Sequence, residues 1–60
     1  MNYVIYIKGP EINRFRPLGR TGPVANLFHA IMFPDYESAK ADLESLTAAN
    51  PDYTFQIRRK

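Results

Sequence analysis

An almost unbroken apolar block, Tyr3, Val4, Ile5, Tyr6 and Ile7, occupies residues 2–8. Side chains that are β-branched or aromatic fit a pleated, half-buried surface, so this block predicts a strand. Gly9-Pro10 follows as a turn, with proline supplying the fixed φ of a turn's second position. A second strand is expected over residues 11–16, ending at Pro17, which cannot donate to a ladder. Together the two strands make a hairpin whose register the sequence leaves open. Residues 17–23 hold two prolines and two glycines in seven positions and read as a loop.

Residues 24–33 fit two patterns. Val24, Leu27, Phe28, Ile31 and Met32 match helical spacing, and Pro23 suits a first helical turn. Pro34, however, biases Phe33 toward an extended backbone. The favoured reading is a turn around residues 25–28 followed by a short strand over 29–33, with a wholly helical segment as the alternative. Residues 35–49 predict a helix. Asp35 caps it and Glu37 places a negative charge in its first turn, while Tyr36, Ala39, Leu43 and Leu46 fall on one arc. Asn50-Pro51 stops the helix, asparagine tolerating the left-handed position and proline blocking continuation. A last strand over residues 53–58 alternates cleanly, Tyr53, Phe55 and Ile57 against Thr54, Gln56 and Arg58.

The order is therefore β-β-(β)-α-β, an α+β two-layer sandwich in which one amphipathic helix covers one face of a small, mostly antiparallel sheet. Tyr3, Ile5, Ile7, Phe15, Phe55 and Ile57 are expected to face the helix. Val4, Tyr6, Lys8, Ile12, Arg14, Arg16, Thr54, Gln56 and Arg58 are expected on the open face.

Length and composition narrow the function classes. Sixty residues make a single domain spanning 1–60, and a chain this short hides only about 60% of its unfolded surface. With no cysteine and one histidine, His29, neither a disulfide nor a thiolate or zinc site is expected, and no cofactor is implied. The longest apolar run is far short of the ~20 residues a membrane span needs, and no secretory signal pattern is present. These features predict a cytoplasmic protein that does not engage membranes. A core this thin favours self-association, as a homodimer or higher oligomer.

The stretch Ala30-Ile31-Met32-Phe33, followed by Asp35-Tyr36-Glu37-Ser38-Ala39, Leu43, Leu46 and Asn50-Pro51, resembles small stand-alone phage and bacterial accessory proteins built as a hairpin, a helix and a closing strand. The resemblance covers roughly residues 27–58. It implies a mobile-element accessory role, several such short phage products being inhibitors of host defence, and it assigns no functional residue.

Charge is segregated along the chain. Residues 35–52 carry five acids and one base, whereas the rest carries seven bases against Glu11 alone. The helix is thus acidic and the strands and loop basic. Tyr6, Lys8, Arg14, Arg16 and Arg58 on the open face, with Arg20 projecting from the loop, form the candidate partner-binding set. Arginine and tyrosine are typical hot-spot residues against an acidic protein surface. The same combination suits single-stranded DNA or RNA, where guanidinium grips phosphate and a ring stacks on a base. Gly19-Arg20-Thr21-Gly22 lacks the lysine and spacing of a phosphate-binding loop and reads as a connector. His29 has no nucleophile partner, and Asp35, Glu37, Asp42 and Glu44 spread around the helix rather than converging on a metal. No catalytic residue is expected, and the chain is read as a non-enzymatic interaction module.

Overall fold

The computed structural model describes residues 2–60. Strand β1 (Tyr3–Gly9) turns back through β2 (Ile12–Gly19), which turns again into the two-residue β3 (Gly22–Pro23). A 3-10 turn (Leu27–His29), the helix α1 (Tyr36–Ala49) and the closing strand β4 (Thr54–Arg59) complete the chain. The sheet is antiparallel with order β3-β2-β1-β4. The expected α+β sandwich is borne out: one helix lies over β4 and β1.

The apolar block of β1 takes an interior position in the sheet, paired with β2 on one edge and with β4 on the other. Tyr3 to Lys8 pair with Arg59 to Thr54 without interruption. Ile5 and Ile7 point toward the helix, opposite Ile57 and Phe55. Val4 points away, yet Val4 and Ile5 are each only 1% exposed. The face opposite the helix is therefore closed around Val4 and open only farther along β1, at Tyr6 and Lys8. Ala39 is fully buried, and its small side chain lets the helix approach the sheet closely. Leu43 and Leu46 are half-buried beside it. Tyr36 lies at the margin, half exposed and edge-on to Tyr3 with ring centroids 5.9 Å apart.

The structure corrects three expectations. First, β2 continues through Pro17 to Gly19, and only Arg20 and Thr21 form the turn. Pro17 sits opposite Tyr6, and its carbonyl accepts from the Val24 amide at 2.9 Å, on the side away from β1. Its missing N–H points the same way, so the β1–β2 ladder loses nothing. Second, the favoured turn forms, as the 3-10 turn Leu27–His29, but the strand favoured over residues 29–33 does not, and neither does the alternative helix. Asn26 caps the 3-10 turn, its Oδ1 accepting from the Phe28 amide at 2.8 Å. The following residues run extended but pair only at single bridges, Ala30 with Gly19 and Phe33 with Tyr3. Third, Asn50 is not left-handed. It lies at φ −133°, as expected for a residue preceding proline, and closes the helix by donating both its backbone N–H and its Nδ2 to the Leu46 carbonyl.

At the other end of α1, Asp35 caps as expected, its Oδ1 accepting from the Ser38 amide at 2.8 Å. Replacing it by alanine leaves that amide to water. Asp35→Ala is expected to cost about 1 kcal/mol, measured as a lowered midpoint in urea with an unchanged slope.

Candidate protein-interaction surface

The β1–β2 pairing decides which side chains share a face. Ile7 pairs with Arg16 and Gly9 with Ile12, so three residues of β2 (Asn13, Arg14, Phe15) stand against Lys8 alone. The two-residue turn Pro10-Glu11 sets even residues of β2 opposite odd residues of β1, and the bulge, which adds two residues, keeps that alternation. Ile12, Arg16 and Leu18 thus stand on the helix side of the sheet, where Ile12 and Leu18 line an apolar groove with Leu46 and Phe55. Phe15 emerges on the opposite side. The expected faces of Phe15, Ile12 and Arg16 are thus reversed. The reason is Leu18: with Ile12 it places two apolar side chains on the even parity, and they take the buried side. Reading the strand as ending at Pro17 hid that signal. Arg16 is tolerated there because α1 packs over β4 and β1, leaving the side chain a route to water along its aliphatic stem.

The candidate set therefore divides. Tyr6, Lys8 and Arg58 come together on the face away from the helix, joined by Phe15. Arg14 lies in the bulge, Arg16 on the helix side, and Arg20 at the tip of the β2–β3 turn. On the shared face the Arg58 guanidinium sits 4.2 Å from the Tyr6 ring centroid and 5.5 Å from that of Phe15. The Lys8 ammonium lies 5.8 Å from the Phe15 ring on the other flank. Gln56 fixes the arrangement, its Oε1 accepting from Arg58 Nε at 2.8 Å. Cation–π contacts of this kind contribute about 0.5–1 kcal/mol at exposed sites. Their larger effect is placement: Arg58 lies against two rings with Nε occupied, which leaves its terminal N–H groups to meet an anion. A shallow depression beside it is lined by Lys8, Phe15 and Thr54, with Asp52 at its rim.

The helix side offers a different surface. Where α1 does not reach, Ile7, Ile12, Leu18, Leu46, Tyr53 and Phe55 line an open apolar groove of about 480 Å³. Tyr53 packs directly on Gly9, whose missing Cβ makes room for the ring. The acidic residues of α1 remain at the surface: Asp35, Glu37, Asp42 and Glu44 are all exposed. His29 is exposed in the 3-10 turn, edge-on to Phe28. No described helix is long and apolar enough to cross a membrane. A search of protein-family models, curated proteins and solved structures finds no match to this chain.

Proposed function

We propose that this chain is a non-catalytic, cytoplasmic interaction module that binds an acidic surface of a partner protein and works by occluding it, as a phage or mobile-element inhibitor of host defence machinery would. The observation that carries the reading is the ordered guanidinium of Arg58, stacked on Tyr6 and Phe15 and braced by Gln56. A planar fork presented this way matches a carboxylate bidentately. Holding it in place before binding removes part of the ordering cost that a free arginine carries into an interface.

Single-stranded nucleic acid is the second reading, favoured by two aromatic rings, Tyr6 and Phe15, on neighbouring strands of one face. It is the weaker of the two. Gripping several phosphates requires a basic track, and Arg16 and Arg20 lie off this face, with Arg14 in the bulge. The Tyr6 ring already carries Arg58.

The module is further proposed to act as a homo-oligomer. Val4, Ile5, Ile7 and Ala39 are the buried apolar residues described, a small core for 60 residues. A second copy seated on the apolar groove beside α1 would bury what this core leaves wet. A stable interface takes about 800 Å² from each partner, roughly a fifth of the 4297 Å² each chain exposes.

The test is affinity capture from the native host with the wild-type chain and with a Lys8→Glu/Arg58→Glu bait, each with and without nuclease. The expected result is a protein captured at fixed stoichiometry, resistant to nuclease and lost with the double variant. Capture that disappears with nuclease supports the nucleic-acid reading instead. Light scattering on the same preparations is expected to show a mass above 7 kDa at micromolar concentration; a monomer whose melting is independent of concentration contradicts the oligomer.

A further inference from the structure

The two edges of the sheet differ in kind. The β3 edge is two residues long, and one of them is Pro23. Such an edge is closed to further pairing. The β4 edge runs for six residues without proline, in unbroken register with β1, and among the described residues no strand lies beyond it.

The hydrogen-bond phase fixes which groups that edge offers. The Lys60 amide donates to the Asn2 carbonyl at 2.8 Å. In an antiparallel pair the bonded positions alternate, so Arg58, Gln56 and Thr54 also turn their backbone groups toward β1. The N–H and C=O groups of Phe55, Ile57 and Arg59 accordingly point outward. Side chains alternate with them. On the face shared with Tyr6, the edge shows Thr54, Gln56 and Arg58; on the helix side it shows the half-buried Phe55 and Ile57.

We infer that the β4 edge receives an extended, acidic segment of the partner protein, which pairs with the outward backbone groups of Phe55, Ile57 and Arg59 as a fifth strand. This inference rests on the acidic-partner reading above and names its binding mode. Charge complementarity selects the occupant. Arg58, Arg59 and Lys60 close the edge, and residues 53–60 contain no acid. These cations attract an acidic strand, and a second copy of β4 brings no carboxylate within residues 53–60 to meet them. The chain's own acids cannot supply one: five lie on or just beside the helix in residues 35–52, and Glu11 stands alone in the β1–β2 turn. Main-chain pairing supplies affinity in this mode, and alternate side chains supply specificity. The segment should therefore alternate: acidic residues on the Arg58 side, apolar residues beside Phe55 and Ile57.

A chain of 60 residues is accessible to total chemical synthesis, which permits a backbone test. The probe is a synthetic eight-residue peptide of alternating glutamate and valine, compared on the wild-type chain and on a chain N-methylated at the Ile57 amide. That methyl group removes an outward donor and leaves the β1 ladder intact. The expected result is that the peptide slows hydrogen exchange at the Phe55, Ile57 and Arg59 amides at least tenfold. N-methylation should weaken binding at least tenfold while the circular dichroism melt stays unchanged. Binding that shifts Tyr6 and Phe15 signals but gives no protection at these amides, and is indifferent to the methyl group, overturns the edge inference while leaving the acidic-partner reading standing. Absence of peptide binding also overturns it. Protection that grows with protein concentration alone assigns the edge to a second copy, and protection by oligothymidylate but not by the peptide assigns it to nucleic acid; either result overturns the inference.

Discussion

Ile5→Ala is expected to unfold the domain. Ile5 is 1% exposed, paired with Ile57 across β4 and roofed by the helix. Truncating a buried isoleucine to alanine removes transfer free energy and leaves a cavity, a cost of about 2–5 kcal/mol. A chain of this length holds only about 3–9 kcal/mol in total, on a typical per-residue stability of 0.05–0.15 kcal/mol. The loss is therefore of the same order as all that exists, and with so few buried apolar neighbours the site has little to collapse upon. Far-ultraviolet circular dichroism of Ile5→Ala should show no cooperative melt above room temperature. Glu44→Gln, on the exposed side of α1, should stay within about 0.5 kcal/mol of wild type. A variant Ile5→Ala that melts within a few degrees of wild type would mean that the core lies elsewhere.

Gly19→Ala is the second large effect, and its cause is space rather than backbone strain. At Gly19 two connections converge: Gly22 pairs with it across the hairpin, and Ala30 bridges to it. An added Cβ would stand 2.7 Å from Val24 Cγ1 and 2.9 Å from the His29 carbonyl oxygen. The valine branch could turn aside, but the carbonyl belongs to the backbone that forms the Ala30 bridge. Moving it detaches residues 24–33 from the sheet. Overpacking of this kind costs about 1–3 kcal/mol. In a domain this small each kcal/mol shifts the midpoint by about 4–8 °C, so a drop of about 5–20 °C is expected in a thermal melt. The amides of Ile31 and Phe33, bonded to Leu18 and Tyr3, should lose hydrogen-exchange protection first. Gly22→Ala is destabilising for a separate reason: Gly22 lies at φ +130° with nothing near its absent side chain, so its penalty is conformational and should not loosen the Ile31 amide selectively.

What could be read from the chain depended on how local the governing physics was. The helix and both its ends were legible because caps are written in one or two residues, Asp35 and Asn50-Pro51. The strands β1 and β4 were legible because their apolar content and alternation are strong. The faces of β2 were not, because they follow from how its even residues pair with the odd residues of β1, a pairing property that no residue of β2 announces alone. Pro17 added to the error: proline reads as a strand end, whereas here its missing donor points to the side where β1 does not pair. The consequence fell on the candidate site. Tyr6, Lys8 and Arg58, carried by β1 and β4, were placed together correctly, while Arg16 and Phe15 were each assigned to the wrong face. The burial of Val4 on the far side of the sheet was equally invisible, since it arises from the tertiary path of the chain rather than from β1 itself.

The central claim is that a stacked, braced Arg58 is the group that meets an anionic partner. Nuclear magnetic resonance of the arginine side chains during titration with polyglutamate tests it most directly. In the free protein the Arg58 δ-protons should resonate upfield of their ordinary position, shifted by the ring currents of Tyr6 and Phe15. On titration the Arg58 and Lys8 side chains and the Phe15 ring should respond together and saturate, with Arg14, Arg16 and Arg20 nearly still. Arg58 δ-protons at ordinary shifts, or a response spread evenly over all the arginines, would contradict the account.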